Sequence, residues 1–255
     1  MIKKHLLTCS VMLVLVLISM LNIFSTTITE KVVKTENTGS RTSKFIFIKS
    51  TANAYNFANE ALPLNDARVT RKLNVSLKQH TFKTVQSNVL HRKAEKWFPI
   101  IEPILKIYGI PDDFKYIPLV ESGLHSGTSP KGASGLWQFM PGTARTYGLK
   151  VGHGVDERNN LRKSTIAACK YIRELYGEFS SWTLAAAAYN NGSVKLQRAI
   201  NKQNEDNYFR MKLNRETGAY VYNIIAMKAI IEQPKDFGYK NYYNITQPTT
   251  LLAFN

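Results

Sequence analysis

The sequence predicts an all-α domain over residues 85–235. Three observations support this fold class. Apolar residues recur at intervals of three and four, which places their side chains on one face of a helix. Residues that commonly begin or end helices stand at the edges of these stretches. The same region lacks the alternation of apolar and polar residues that marks a half-buried strand.

The first two predicted helices lead to an acidic residue. Gly109 ends the first helix, whose apolar face comprises Trp97, Ile100, Ile101, Ile104, Leu105 and Tyr108. Pro111 and the two aspartates after it favour a second helix, because proline suits a first turn and acids suit its positive end. Glu121 lies at the far end of this second helix, directly after the apolar run 116–120.

The remaining predicted helices begin at typical capping residues. Pro141 is expected to start one helix, and Ser164 to cap another that runs to Gly177. Ser180 or Ser181 then caps the helix 182–189, which is apolar almost all round and is therefore predicted to be central. Asparagine and glycine at 190–192 tolerate left-handed backbone and end it. The last amphipathic helix is marked by Tyr220, Ile224, Met227 and Ile231.

The parts of the chain outside this domain differ in composition. Residues 1–24 have a basic start and an apolar run of nearly membrane-spanning length, which is typical of a signal peptide or an uncleaved anchor. No good cleavage site follows, which slightly favours the anchor. Either interpretation predicts an exported protein of the periplasm or cell envelope. Residues 25–84 are polar and are predicted to form a largely disordered stalk, and residues 236–255 form a C-terminal tail.

Charge and cysteine content narrow the possible partners. The formal net charge is +16, and it is spread along the chain. Such a positive field suits an anionic cell wall or an acidic membrane surface. The sequence lacks the basic helix, zinc-finger spacing and stacking motif of nucleic-acid-binding domains, so no nucleic acid is expected. The two cysteines indicate neither a disulfide framework nor a metal cluster, and no cofactor is expected.

Several polar residues form a candidate site. Glu121 borders an apolar wall, and burial disfavours the charged form of a carboxyl group, as a general acid near neutral pH requires. Gln138 and the pair Tyr189–Asn190 come from distant segments and suit the binding of a sugar. The structural alternatives are a salt bridge for Glu121, a helix end for Tyr189–Asn190 and simple packing for Tyr220.

Four ordered segments carry a resemblance to a known family. Their sequences are PLVESG at 118–123, GASGLWQFMP at 132–141, AYNNG at 188–192 and ETGAYV at 216–221. Together they resemble the soluble-type lytic transglycosylase domain, which is related to goose-type lysozyme. The likeness is strongest to the membrane-bound D group of that family.

The resemblance implies a lysozyme-like helical domain with a two-sided glycan cleft that cleaves the MurNAc–GlcNAc bond of peptidoglycan. It implies that Glu121 is the catalytic acid and base. The implied substrate-binding residues are Gln138, Tyr189, Asn190 and Tyr220, with Ser134 and Met140 near the sugar. Trp137 departs from the family pattern, where methionine is common, and is expected to reshape a sugar subsite.

Three functions remain open at this point. A lytic transglycosylase would form an internal 1,6-anhydro ring, whereas a hydrolytic muramidase of the same fold would use water. A non-catalytic wall-binding scaffold is the third possibility. No second acid near Glu121 is expected in the matching segments, and the acids at 156–157 are interpreted as local capping and ion pairing. A substrate acetamido group would then have to assist a single glutamate.

Overall fold

The computed structural model describes residues 55–240. The predictions for residues 1–24, for the stalk before residue 55 and for the tail after residue 240 lie outside that range. Between residues 55 and 240, no helix combines the length and apolarity needed to cross a membrane. Helices dominate the described residues, so the predicted all-α fold class is confirmed.

The described residues begin with a short hairpin and continue through nine α-helices. The hairpin strands are β1 (Asn56–Phe57) and β2 (Glu60–Ala61), which pair antiparallel. The first helices are α1 (Ala67–His80), α2 (Phe82–Val85), α3 (Val89–Ile107) and α4 (Ile117–Ser122). Then follow α5 (Pro141–Thr146), β3 (Val151–Gly152), β4 (Val155–Asp156) and α6 (Leu161–Phe179). The last are α7 (Trp182–Asn191), α8 (Ser193–Gln203) and α9 (Thr217–Glu232).

Helix α7 is the centre of the domain. Its residues Thr183–Ala188 are all buried, and it packs against α6, α8 and α9. Four consecutive alanines, residues 185–188, allow these neighbours to approach closely because their side chains are small. As predicted, Ser181 caps the helix, and its hydroxyl accepts a hydrogen bond from the N–H of Leu184. Gly192, with φ of +82°, follows the last residue of the helix.

Residues 55–84 fold onto the domain, in contrast to the predicted stalk. Helix α1 packs against α9 and buries Val69, Leu73 and Leu77. The remaining residues of α1 are mostly polar, so its composition resembles a solvated segment, although its apolar residues recur at helical spacing. The folded domain therefore includes the thirty residues 55–84 before the predicted boundary at 85.

The hairpin is attached to the centre of the domain through Glu60. Its carboxylate accepts hydrogen bonds from the N–H of Trp182 at 2.5 Å and of Thr183 at 3.0 Å. It also accepts from the hydroxyls of Ser181 at 3.0 Å and Thr183 at 2.7 Å. A helix leaves its first N–H groups without partners inside the helix. Glu60 therefore caps α7 from a distant part of the sequence.

Three local predictions differ from the structure. Asn160, and not Ser164, caps α6, and its side-chain oxygen accepts from the N–H of Lys163 at 3.0 Å. Ser164 lies within the first turn and donates to the carbonyl of Asn160 at 2.7 Å. The short strands β3 and β4 were not expected. Helix α8 was also missed, because Leu196 is its only buried residue.

Candidate active site

Glu121 lies at the end of α4, where Gly123 adopts a left-handed conformation with φ of +55° and ends the helix. The side chain is half-buried, and the hydroxyl of Tyr220 donates a hydrogen bond to its Oε1 at 2.5 Å. Burial raises the pKa of Glu121 to about 6. The hydrogen bond from Tyr220 opposes this rise, whereas the negative charge of Glu216 adds to it. The carboxyl group can therefore exist in both protonation states near neutral pH.

Tyr220 reaches Glu121 from the first half of α9, and only 3% of it is exposed. Burial, followed by the nearby charge of Glu121, raises the pKa of Tyr220 well above its usual value. The phenol consequently stays protonated and serves as a fixed donor. Tyr220 therefore packs in the core and also contacts Glu121, and its role in binding substrate stays a prediction.

Tyr189 joins the end of α7 to the loop that precedes α5. Its hydroxyl donates to the carbonyl oxygen of Trp137 at 2.7 Å, and its ring packs against Tyr171 with centroids 5.3 Å apart. Burial raises the pKa of Tyr189 well above its usual value, and the charge of Glu121 is the next cause. The Tyr189 phenol is therefore within electrostatic range of Glu121.

Asn190 is held by two residues at the start of α9. Its Nδ2 donates to Glu216 Oε1 at 3.0 Å, and its Oδ1 accepts from the hydroxyl of Thr217 at 2.9 Å. Asn214 accepts from the N–H of Thr217 and donates to Asn191 at 3.3 Å. The C-terminal end of α7 and the start of α9 thus form one hydrogen-bonded network beside Glu121.

Glu216 is a site residue that the sequence analysis missed. The expectation that the matching segments hold no second acid near Glu121 is wrong, since the charge of Glu216 raises the pKa of Glu121. Glu216 stands four residues before Tyr220, and residues at this spacing share a helix face. That spacing was the signal in the sequence that would have identified it.

The loop 127–140 contains the remaining predicted site residues. Gln138 has a φ of +49°, and its Nε2 donates to the carbonyls of Gly135 at 2.7 Å and Gly127 at 3.3 Å. Ser134 is fully buried and accepts from the hydroxyl of Thr128 at 2.9 Å. The Ser134 side chain thus stabilises the loop and is not exposed to a ligand. Met140 is 45% exposed at the start of α5 and is accessible.

Trp137 lies inside the domain, and its expected effect on the shape of a sugar subsite stays a prediction. It is fully buried, and its Nε1 donates to the hydroxyl of Thr165 at 3.0 Å. Gly135 lies so close to Arg158 that a β-carbon there would stand 2.0 Å from the Arg158 carbonyl oxygen. The guanidinium of Arg158 in turn donates to the carbonyls of Gly132 and Phe139. The glycine and the buried tryptophan both anchor the loop to α6 and the turn before it.

The acids at 156–157 have the local roles predicted for them. Asp156 accepts from the backbone N–H of Arg158 and forms an ion pair with its guanidinium at 2.7 Å. Glu157 forms an ion pair with Lys163 at 2.5 Å. Both carboxylates stabilise the turn that leads into α6.

A separate cavity of about 420 Å³ lies at the opposite end of α7 from Tyr189. It is lined by the hairpin, the start of α7 and the segment 206–209. The carboxylate of Glu60 in this cavity is already engaged by its four hydrogen bonds to α7. The titrating groups described above surround Glu121 and not this cavity.

Comparison with known proteins identifies the family. The model of the transglycosylase SLT domain matches residues 99–211. A putative tributyltin chloride resistance protein of Alteromonas sp. (strain M-1) is 30% identical over 149 residues, which cover 56% of this chain and 72% of that protein. The chain belongs to the transglycosylase SLT family.

A second relative within the family is much longer. The membrane-bound lytic murein transglycosylase D of Escherichia coli K12 is 32% identical over 152 residues, or 57% of this chain. The matched region spans 34% of the length of that relative. Among solved structures, the 70 kDa soluble lytic transglycosylase Slt70 of Escherichia coli aligns with 20% identity and a TM-score of 0.45. That alignment covers 64% of this chain and 29% of Slt70.

Proposed function

We propose that this protein is a peptidoglycan lytic transglycosylase that cleaves the MurNAc–GlcNAc β-1,4 bond without adding water. The observation that carries the proposal is the half-buried Glu121, whose pKa is raised to about 6 and whose carboxylate accepts a hydrogen bond from Tyr220. Family membership and the name of the membrane-bound Escherichia coli relative support the same activity.

In the first step, Glu121 acts as a general acid. With a pKa of about 6, on the order of a tenth of the molecules carry the protonated form at pH 7. The proton passes from the Glu121 carboxyl group to the glycosidic oxygen as the bond to the sugar C1 breaks. The acetamido group of the same sugar stabilises the positive C1, a substrate-assisted route known among glycoside-cleaving enzymes.

In the second step, Glu121 acts as a general base. The carboxylate, now ionised, removes the proton from the 6-hydroxyl of the same sugar as that oxygen attacks C1. A 1,6-anhydro ring forms, the acetamido group is released, and Glu121 returns to its protonated state. The donor hydroxyl of Tyr220 stabilises the carboxylate between the two steps, since a hydrogen bond to the charged form favours it.

Glu216 favours one alternative, a hydrolytic muramidase. A second carboxylate near the acid can act as a general base that activates water in inverting glycosidases. In this protein Glu216 is held by Asn190 and raises the pKa of Glu121. The two mechanisms give different products, so product analysis separates them.

The deciding experiment is digestion of purified peptidoglycan followed by mass spectrometry. We expect products lighter by one water than those of hydrolysis, without a reducible MurNAc end. Hydrated ends that borohydride reduces would instead establish the muramidase. Cleavage in both cases should fall by about 10²–10⁴-fold in Glu121→Gln, because general acid–base catalysis contributes that much.

A matched control is Glu95→Gln, at an exposed glutamate of α3. This variant should cleave at the wild-type rate. Wild-type cleavage by Glu121→Gln, with an unchanged circular dichroism spectrum, would refute the assigned role. The cell envelope is the proposed place of action, which the membrane-bound relative supports.

A further inference from the structure

The segment 193–215 forms an exposed cationic lobe next to the candidate active site. It comprises α8 and the loop that follows it, and it leaves α7 directly after Asn191 and returns at Glu216. Its six cations are all exposed: Lys195, Arg198, Lys202, Arg210, Lys212 and Arg215. The lobe contains two carboxylates, Glu205 and Asp206.

The cations of this lobe have no ionic partners within residues 55–240. Other basic residues of the domain do, including Lys115, Arg158 and Lys228, each of which pairs with a carboxylate. Glu205 instead accepts from the backbone N–H of Asn207. The positive field of the lobe is therefore not neutralised by the protein itself and is available to an external anion.

The lobe is held in a fixed relation to the site. Near the site, Asn214 donates to Asn191 at 3.3 Å. Further out, Gln203 and Lys212 exchange two hydrogen bonds, of 2.7 and 3.2 Å. On α8 the cations Lys195, Arg198 and Lys202 follow a spacing of three and four, so they share one face. The result is a row of cations that leads away from Asn190 and Glu216.

We propose that the cationic lobe binds the carboxylates of the peptides attached to the glycan strand, so that the enzyme prefers strands whose peptide carboxylates are free to strands in which they are amidated. This inference rests on the proposed function. The neutral sugar ring itself offers no charge to such a surface. The site carries the acids Glu121 and Glu216, which repel anions, so peptide carboxylates are directed away from these acids and toward the lobe. The lobe thereby fixes which substituents of the strand lie on this side of the cleft.

The experiment compares two substrates and three proteins. The substrates are peptidoglycan strands with free peptide carboxylates and the same strands after those carboxylates have been converted to amides. The proteins are the wild type, the triple variant K195A/R198A/K202A and the control R71A/K78A/K106A. The control removes the same charge from exposed positions on α1 and α3. Values of kcat/KM are measured at low and high salt, and circular dichroism checks the fold.

We expect the triple variant to lose about tenfold in kcat/KM on strands with free peptide carboxylates, the combined effect of three exposed ion pairs of ordinary strength. Its activity on the amidated strands should be unchanged, and the control should match the wild type on both. High salt should abolish the wild-type preference, because it screens exposed charges.

Three results would overturn the inference. These are an unchanged preference, an equal loss on both substrates, and, when the same proteins are sedimented with vesicles that contain acidic lipids, a loss that affects vesicle binding alone. The last would assign the lobe to a membrane surface. A wild type that cleaves neither strand would instead refute the proposed function, whereas cleavage without a preference refutes the lobe alone.

Discussion

Replacement of Glu60 tests whether the N-terminal hairpin is part of the folded domain. Glu60 lies in β2 and satisfies two backbone N–H groups and two hydroxyls at the start of α7, more than 120 residues away in sequence. Glu60→Ala removes all four hydrogen bonds together with a negative charge at the positive end of that helix. Ser181 still caps the N–H of Leu184 in the variant, so the helix remains formed.

The expected loss combines two known effects. Loss of a side-chain cap costs about 0.5–2 kcal/mol. Loss of a partly buried charge at a helix N-terminus costs up to about 2 kcal/mol. We therefore expect the free energy of unfolding to fall by about 3 kcal/mol in Glu60→Ala. For a domain of this size, the midpoint temperature should fall by roughly 6–12 °C, at about 2–4 °C per kcal/mol.

Thermal unfolding followed by circular dichroism measures this shift directly. Glu95→Ala is the matched control, since Glu95 is exposed on α3, and a surface substitution should stay within about 0.5 kcal/mol. Glu60→Gln keeps one acceptor oxygen, so its midpoint temperature should lie between those of Glu60→Ala and the control. A midpoint for Glu60→Ala equal to that of the control would refute the capping role and the extended domain boundary.

Four further outcomes concern the residues around Glu121. Its folded pKa of about 6 exceeds the ordinary 4.5, so ionisation opposes folding and stability falls as pH rises from 4.5 to 6. Glu121→Gln should hence be more stable than the wild type by about 2 kcal/mol at pH 7.5 and equal to it at pH 4, by urea unfolding. Tyr220→Phe should move the general-acid limb of the pH–rate profile to higher pH, because it removes the hydrogen bond that lowers the pKa of Glu121. Glu216→Gln should move the same limb to lower pH, because it removes a negative charge that raises the pKa of Glu121. Asn190→Ala should lower kcat by on the order of 10²-fold through lost positioning of the substrate in the cleft, with a smaller relative change in stability.

Each of these outcomes has a clear contrary result. Equal stabilities of Glu121→Gln and the wild type at pH 7.5 would contradict the raised pKa. Shifts of the two pH profiles in the same direction would show that Tyr220 and Glu216 do not act on the Glu121 carboxyl group as described. A large fall in the unfolding midpoint of Asn190→Ala, with proportionate activity, would assign that residue to the fold.

The helices with a strong apolar face were predictable from the sequence, and the amphipathic surface helices were not. Helix α7 was recognised because six consecutive residues in it are buried and small or apolar. Helix α1 buries only four residues among polar ones, so its composition resembled a stalk. For α6, Asn160 and Ser164 are both plausible capping residues, and only the backbone geometry distinguishes them.

The candidate site, like the helices, was predictable only in part from the sequence. The expected neighbours Tyr220 and Glu121 are joined by a direct hydrogen bond. The resemblance implied that Ser134 lies near the sugar and that Trp137 reshapes a sugar subsite, but both side chains are buried. Adjacent positions in an irregular loop point in different directions, and no periodicity in the sequence reports which of them faces the cleft.

The alanine run at 185–188 has a consequence for how this fold can change over time. Four methyl groups set the distance between α7 and the helices around it, and any larger side chain there would push α6 or α9 outward. The spacing between Glu121 on α4 and Tyr220 on α9 depends on that arrangement. The loop 127–140 and the lobe 193–215 each bury a few apolar side chains in the core, but they also carry exposed residues. New specificities can therefore arise by substitution of exposed residues in these two segments, while the distance between Glu121 and Tyr220 stays the same.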